Sequence, residues 1–451
     1  MSDLILSPMQ VSATNQVRSW FNGARSGFDK FYLAGFAGSG KTSILPYLIE
    51  HCGLNWEDVV FCAPTGKAAK VMTAKLRAMY GTDRITAKTI HSQIYVPLKA
   101  KVEQLRDLIV QEESLISGLA RANQEEGNFD PQAYQERVTK ANTRLRDLQR
   151  QFDDAQRQAQ KNGPSFVLNT ESAVSKARLI VVDEASMVGE TITDDLFSFG
   201  IPILAIGDPA QLPPVGDNPG LTVGEPDFFL SEIHRQAADN PIIRLSMDVR
   251  EGKLLRPGMT LGDKVRVVRG RDDHWTLNPD YDAQVLCGTH KTKWILTKRI
   301  REMCGYTSTC PEEGEPLMVC KNSRKIPSLV NGSFVECIDS PGELYDGDAS
   351  VRLRVRDEYG MSYWMNVYQG TFEEHFLRQR DGATASKYAA FDSKRSDEIL
   401  DFGWVITTHK SQGSQWDNVV VHDESGRFRD DAAKWLYTAV TRAADELTVV
   451  M

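Results

Sequence analysis

Two short stretches of this sequence carry side chains whose types and spacing suit a phosphorylated ligand. In "LAGFAGSGKTS" (33–43), Gly35, Gly40, Lys41 and Thr42 satisfy the pattern GxxxxGK[ST], and Gly38 adds a hinge. Glycines at these positions let backbone N–H groups converge on phosphate oxygens, so the cradle is Gly35, Gly38, Ser39, Gly40, Lys41 and Thr42. A helix N-terminus after the loop adds its dipole, Lys41 reaches the β- and γ-phosphates, and Thr42 holds Mg²⁺. The second stretch is Asp183–Glu184, which ends the apolar run "LIVV" (179–182). At the carboxyl edge of a parallel sheet this pair faces the loop. Asp183 then holds the metal through water, and Glu184 orients and deprotonates an attacking water. An isolated acidic pair reads as a solvated turn, but behind a phosphate loop and an apolar strand it reads as chemistry.

Such groups need a rigid sheet. Near-continuous apolar runs followed by turn residues recur at 30–35, 59–64, 177–186 and 200–208, and again after residue 280 in "AQVLCGTHK", "GWVITTHKS", "NVVVHDE" and "LTVVM". Strands of this kind belong to parallel sheets covered on both faces, so the chain reads as two α/β sheets in tandem. Two stretches interrupt them. Between Leu98 and Ser165 the sequence is polar with helical period, and Val138, Ala141, Leu145, Leu148, Phe152, Ala155 and Ala159 form a coiled-coil seam. Asp130 is offered as N-cap with Pro131 at the first helical position, which gives an antiparallel hairpin with arms of about 45 Å at 1.5 Å per residue. From Ile326 to Leu400 the pattern alternates as strands do, which predicts a small β-barrel followed by a polar helical stretch from Thr371 to Ser396.

The chain has 451 residues, too many for one compact core, with 41% hydrophobic and 25% charged residues, an ordinary globular balance. Neither a secretory leader nor an 18-residue apolar segment is visible, so a cytoplasmic location and no membrane partner are expected. The seven cysteines show no CxxC pair, and buried free thiols are expected rather than a disulfide framework or zinc site. A net charge of −8 argues against a uniformly basic surface but leaves room for a local basic groove.

The order of segments resembles the superfamily 1 DNA helicases, in the RecD-like branch to which the Dda-type helicases of T-even phages belong. The resemblance is carried by "SPMQ" (7–10), the phosphate loop, "APTGKAAK" (63–70), "TIHS" (89–92), "DEAS" (183–186), "GDPAQLPPV" (207–215), "EIHRQ" (232–236), "TTHKSQGSQWD" (407–417) and "YTAVTRA" (437–443). It implies that Gln10 contacts the adenine, that Gln211 touches the γ-phosphate or attacking water, and that Arg235 and Arg442 are arginine fingers, one from each domain. A planar guanidinium suits phosphate, and a finger reaching across a cleft makes hydrolysis depend on closure. It further implies that Thr65, His91, Thr408 and His409 line a single-strand path, with Lys67, Lys70, Lys88 and Lys410 in or beside the same segments. Gln415 departs from the acidic residue frequent in this branch, and the long hairpin stands where relatives carry a short pin.

The resulting expectation is an α/β protein of two tandem RecA-like P-loop domains (1–97 with 166–235, and 236–325 with 401–451). A coiled-coil insertion spans 98–165, and a β-barrel insertion with a helical extension spans 326–400. The expected activity is an ATP-dependent DNA helicase using ATP and Mg²⁺ on single-stranded, forked or tailed duplex DNA. By resemblance it moves 5′ to 3′, acts as a monomer, and serves replication, recombination or repair. The hairpin reads equally as a wedge, a duplex-steering arm or a partner-docking arm. The rivals are a nucleotide kinase or GTPase, which needs one α/β domain and a lid, and an ATP-gated DNA clamp or loading factor without processive unwinding.

Overall fold

A computed structural model describes residues 6–23, 29–125, 131–160, 166–232, 240–270, 282–323, 325–341, 350–377 and 398–451. The chain divides into two compact units, His91–Ser172 and the remainder.

In the larger unit the first sheet has six strands. Their order is Lys88–Thr89, Val59–Ala63, Leu179–Val182, Ile203–Gly207, Lys30–Gly35 and Phe228–Leu230, all parallel. Ile180, Val181, Val182, Leu204, Ala205, Ile206, Leu33 and Ala34 are fully buried. This is the signature of a sheet covered on both faces, and it explains why these strands show no alternation. The pairing Leu33↔Ile206 and Val182↔Ala205 aligns the carboxyl ends of three strands, so the phosphate loop, Asp183 and Asp208 emerge side by side. The edge strand Phe228–Leu230 is too short to announce itself. It is fixed by Asp227, whose Oδ2 accepts the Tyr32 backbone N–H at 2.7 Å.

A second sheet runs in the order Val405–Thr407, Gln284–Cys287, Trp416–His422, Ala443–Val450, Val265–Val268 and Thr260–Leu261, parallel except for the last pair. Inserted in it is a five-stranded antiparallel sheet: Ser362–Tyr368, Ser350–Asp357, Phe334–Asp339, Pro316–Val319 and Leu400–Phe402. Val351, Leu353 and Val355 face its core while the intervening Arg352, Arg354 and Arg356 are exposed. Val367 bridges to Glu398, just ahead of the Leu400–Phe402 strand, so the two edges approach and the sheet curls on itself. It starts at Pro316, ahead of the Ile326 start that alternation predicts. Pro316–Val319 carries no polar residue and so resembles a strand of the α/β sheet. Of the polar helical stretch, Gly370–Leu377 is a helix, and 378–397 lie outside the described residues.

The smaller unit consists of helices Leu98–Glu125 and Pro131–Gln160 on a two-stranded antiparallel base, Tyr95–Pro97 with Phe166–Leu168. Leu105, Ala141, Leu148 and Ala155 are buried in the seam with Val102, Leu108, Ile109 and Phe152 packed against them. Arg144 pairs with Glu112 at 3.7 Å and Arg106 lies over the Phe152 ring, which sets the two helices antiparallel. The base ribbon carries the unit past the 98–165 limits drawn from helical period. Asp130, the expected N-cap, lies outside the described residues. Among the described residues no helix is long and apolar enough to cross a membrane, and the seven cysteines are free thiols.

Candidate nucleotide-binding cleft

The loop after the Lys30–Gly35 strand closes on itself. Ser39 Oγ donates to the Phe36 carbonyl at 2.9 Å, and Lys41 Nζ donates to the carbonyls of Gly35 (2.6 Å) and Phe36 (2.9 Å). Gly38 and Gly40 hold φ of 81° and 75°, the left-handed region that a Cβ disfavours. A Cβ at Gly35 would lie 2.6 Å from Ser39 Oγ. Thr42 lies in a turn rather than in the helix that the loop pattern predicts. Regular helix begins at Leu45 with Pro46 in its first turn, where a missing N–H is tolerated.

Thr42 Oγ1 donates to Asp183 Oδ2 at 3.2 Å, so the two expected metal ligands stand together. Burial and then the Glu184 charge push the Asp183 carboxyl up, against the Glu184 backbone N–H at 2.9 Å and the Lys75 and Lys41 charges. A divalent cation beside Asp183 favours the ionised form, so the donor set suits one. Among the described residues no three His, Cys, Asp or Glu side chains form a metal cage. A cation here would complete its shell with phosphate and water oxygens, as Mg²⁺ commonly does. Glu184 sits at φ 54°, ψ 38°, one of two described non-glycine residues at positive φ.

Asp208 and Gln211 follow the neighbouring strand. Gln211 is 7% exposed, its backbone N–H donates to the Asp208 carbonyl at 3.1 Å, and its side-chain Oε1 is buried with no partner among the described residues. Buried acceptors are ordinarily satisfied, so this one suits a donor brought by a ligand. Asp208, 1% exposed, accepts from the Ala210 N–H (3.0 Å) and from the Tyr437 hydroxyl (2.6 Å). Its carboxyl is pushed up by burial, opposed by the Lys41 charge and the Tyr437 bond. The same Tyr437 oxygen accepts the Ala37 N–H at 3.0 Å. Tyr437 belongs to the second sheet's helix Ala432–Val440, so one phenol ties that domain to the phosphate loop and to Asp208 at once. Two further bonds cross here: Leu212 N–H to Thr438 Oγ1 at 3.0 Å, and Gln412 Nε2 to the Leu212 carbonyl at 3.2 Å.

The remaining expected residues divide. Gln10 is buried near the start of helix Pro8–Gly23, its Oε1 accepting the Ser7 N–H at 3.1 Å. Arg442, 6% exposed, spends its donors inside its own domain, on Thr438 O (3.1 Å), Ser414 O (3.2 Å) and Thr441 Oγ1 (3.2 Å). None of these three bonds goes to the phosphate loop in this arrangement. Arg235 lies outside the described residues. Thr65 caps the helix Gly66–Tyr80, accepting the Ala68 N–H, and Gly413 (φ 73°) packs so closely on it that a Cβ would lie 2.8 Å from Ala68 Cβ. Thus Thr65 does meet the segment carrying Thr408 and His409. Thr408, however, is fully buried with its hydroxyl on the Cys287 carbonyl at 3.4 Å, so its side chain is not open to a strand. His409 lies against the Phe428 ring, and burial pulls its imidazole below the usual value. Lys67 and Lys70 both pair with Glu358, at 3.5 and 3.2 Å. His91 belongs to the smaller unit, its ring tilted against Tyr95.

Tyr437, Thr438, Asp208 and Gln412 lie inside motifs that the sequence displays, yet the resemblance gave roles in those motifs only to Gln211, Arg442, Thr408 and His409. The signal for Tyr437 was its place on the apolar helix that ends two residues ahead of Arg442.

Residues 27–217 match the family model described as an AAA domain, and 402–450 match a UvrD-like helicase C-terminal domain. Over 282 residues the chain is 26% identical to the ATP-dependent RecD2 DNA helicase of Deinococcus radiodurans, covering 59% of this chain and 35% of that protein. Over 193 residues it is 26% identical to an uncharacterized protein of Acanthamoeba polyphaga mimivirus, covering 42% of this chain and 29% of that one. The chain therefore spans about a third of the length of the curated relatives it matches. Among solved structures, one described as the structural basis for DNA unwinding at forked duplex DNA by two coordinating Pif1 helicases is similar in fold. It aligns over 99% of this chain and 92% of that chain, with TM-score 0.50 and 18% identity.

Proposed function

We propose that this chain is a superfamily 1 DNA helicase, whose two RecA-like domains hydrolyse MgATP in the cleft between them and draw on a single strand of DNA. The observation that carries the reading is the cleft itself. Lys41, Thr42, Asp183 and Glu184 stand at the carboxyl edge of one sheet, and Tyr437 from the second domain bonds the same loop and Asp208. A nucleotide kinase or GTPase has no use for a second α/β domain seated there. The similarity to a RecD2 helicase and the UvrD-like C-terminal match support the same reading.

In this reading the loop amides and Lys41 bind the phosphates, and Thr42 with Asp183 holds Mg²⁺, which neutralises phosphate charge when bound. Glu184 takes the proton of the attacking water, and Gln211 Oε1 orients that water. Lys41 exchanges its loop carbonyls for phosphate oxygens, so loop geometry and occupancy are linked. Because Tyr437, Thr438 and Gln412 join the domains at the same point, events at the phosphates reach the second sheet directly. Gln10 on the adenine, and Arg442 released from Ser414 and Thr438, complete the site as the domains close. Arg235 is assigned the same role from the resemblance alone.

The finer assignments rest on resemblance. They are a RecD-like, Dda-type enzyme, 5′ to 3′ movement, tailed or forked duplex as substrate, and strand contacts at Thr65, Lys67, His91 and His409. The hairpin is an arm that steers duplex, splits it or docks a partner. Unwinding of duplexes with 5′ or 3′ single-stranded tails tests activity and direction together. ATP turnover that single-stranded DNA does not stimulate refutes the helicase reading. Stimulated turnover without strand separation favours the ATP-gated clamp.

A further inference from the structure

Arg250 ends the helix Pro241–Arg250, which packs on Ala432–Val440 in the second domain. Its guanidinium carbon lies 3.5 Å from the centre of the Phe36 ring, and Phe36 is part of the phosphate loop of the first domain. That ring also meets Phe229 edge-on at 4.7 Å, while the Phe36 carbonyl holds Lys41 and Ser39. Stacking sets the plane of a guanidinium and leaves its N–H edge free to bond. Here that edge is not satisfied: Nη1 is buried and has no hydrogen-bond partner among the described residues. Arginine cannot shed its proton, so a buried donor of this kind calls for an anionic acceptor.

Among the described residues none supplies that acceptor. Arg250 and Lys434 are the two cations lining a cavity of about 290 Å³, with Phe36, Pro209, Ala210 and Tyr437 among its walls. Asp208, the buried acid next to it, is already engaged by Tyr437 and the Ala210 N–H. The cavity is lined by Phe36 of the phosphate loop and by Pro209 and Ala210 of the Asp208–Gln211 segment, so an anion entering it lies between those two segments.

We propose that Arg250 reads the terminal phosphate of a bound nucleoside triphosphate, and so makes the cleft distinguish triphosphate from diphosphate. The proposal rests on the nucleotide-cleft reading above. Arg250 comes from the second domain and stacks on the loop of the first, so its bond to that phosphate is also a bond between domains. Loss of the phosphate returns Nη1 to its unpaired state and weakens the junction.

The test is equilibrium titration of wild type, Arg250→Gln and Arg250→Lys with fluorescent non-hydrolysable triphosphate and with fluorescent ADP, both with Mg²⁺. A charge-assisted bond predicts that Arg250→Gln binds the triphosphate about tenfold or more weakly. ADP affinity should stay within about twofold in the same variant, and Arg250→Lys, which keeps the charge but not the fork, should fall between. Unchanged triphosphate affinity overturns the proposal. So do equal losses for both nucleotides with an unfolding midpoint like wild type, because the residue then serves the loop alone. If Arg250→Gln unfolds early, the triphosphate-to-ADP ratio of Arg250→Lys decides. A wild-type protein that binds neither nucleotide refutes the cleft reading and this proposal together. Binding of both with no DNA-stimulated turnover refutes the helicase reading only.

Discussion

Replacing Tyr437 by Phe removes one oxygen and two bonds that join the domains. The first runs from the phenol to Asp208 at 2.6 Å, with the acceptor 1% exposed. Bonds of this type to a charged group contribute about 1.5–3 kcal/mol, and burial places this one toward the upper end. The second runs from the Ala37 N–H at 3.0 Å, where the partly buried amide can recover part of its loss from water. Loss of the phenol's own desolvation offsets some of the change, so the expected destabilisation is about 2–3 kcal/mol. The pairwise part follows from a double-mutant cycle with Asp208→Asn, read by urea unfolding of the second-domain transition, and should be about 1.5 kcal/mol or more. A pH dependence goes with it. The Asp208 carboxyl is already raised, so protonation stabilises the folded state and ionisation costs more as pH rises through the folded value. Without the phenol the carboxyl rises further, and the penalty in Tyr437→Phe should shrink on acidification. A coupling below about 0.5 kcal/mol, or a penalty that grows with acid, refutes the reasoning.

Glu184→Gln keeps shape and loses the base, so DNA-stimulated ATP turnover should fall by about 10²–10⁴ with nucleotide binding retained; a loss under tenfold assigns the proton to another group. Glu358→Gln removes the carboxylate that pairs with Lys67 and Lys70. Both cations become available to phosphate, so single-strand affinity should rise and its salt dependence should steepen by about 0.7 for each added phosphate contact. An unchanged slope in filter-binding titrations counts against a strand path at Lys67. Burial pulls the His375 imidazole down, against the Asp401 carboxylate that accepts its Nε2 proton at 2.7 Å. Its folded-state value lies below the unfolded one, so its contribution is complete above about pH 6.5 and is lost as pH falls. Unfolding midpoints between pH 8 and 5 should therefore drop more in wild type than in His375→Asn, and parallel curves refute the assignment.

The parts of the fold visible in the sequence were those set by burial on two faces. Strands such as Leu179–Val182 and Ile203–Gly207 cannot be read otherwise, because an uninterrupted apolar run ending in Asp183 or in Asp208 has few other homes. The seam through Ala141, Leu148 and Ala155 was legible for a similar reason, since a 3,4 repeat survives only where a second helix covers it. What escaped depends on contacts between segments distant in sequence. Pro316–Val319 looks like its α/β neighbours until its partner Phe334–Asp339 is seen, and Phe228–Leu230 is held by Asp227 rather than by its own pattern. In the cleft, residue type identified Lys41, Thr42, Asp183 and Glu184. It could not show that Arg442 turns its donors inward, that Thr408 is buried, or that Tyr437 and Arg250 reach across.

The backbone of Glu184 sits where glycine is at home, and a side chain there costs about 1–2 kcal/mol. Exchange to glycine should therefore raise the unfolding midpoint while abolishing turnover, since the carboxylate goes with the strain. Under the proposed role of Glu184, selection for chemistry and selection for stability oppose each other at this position. A thermostability screen run without an activity filter should recover position 184 among its first hits.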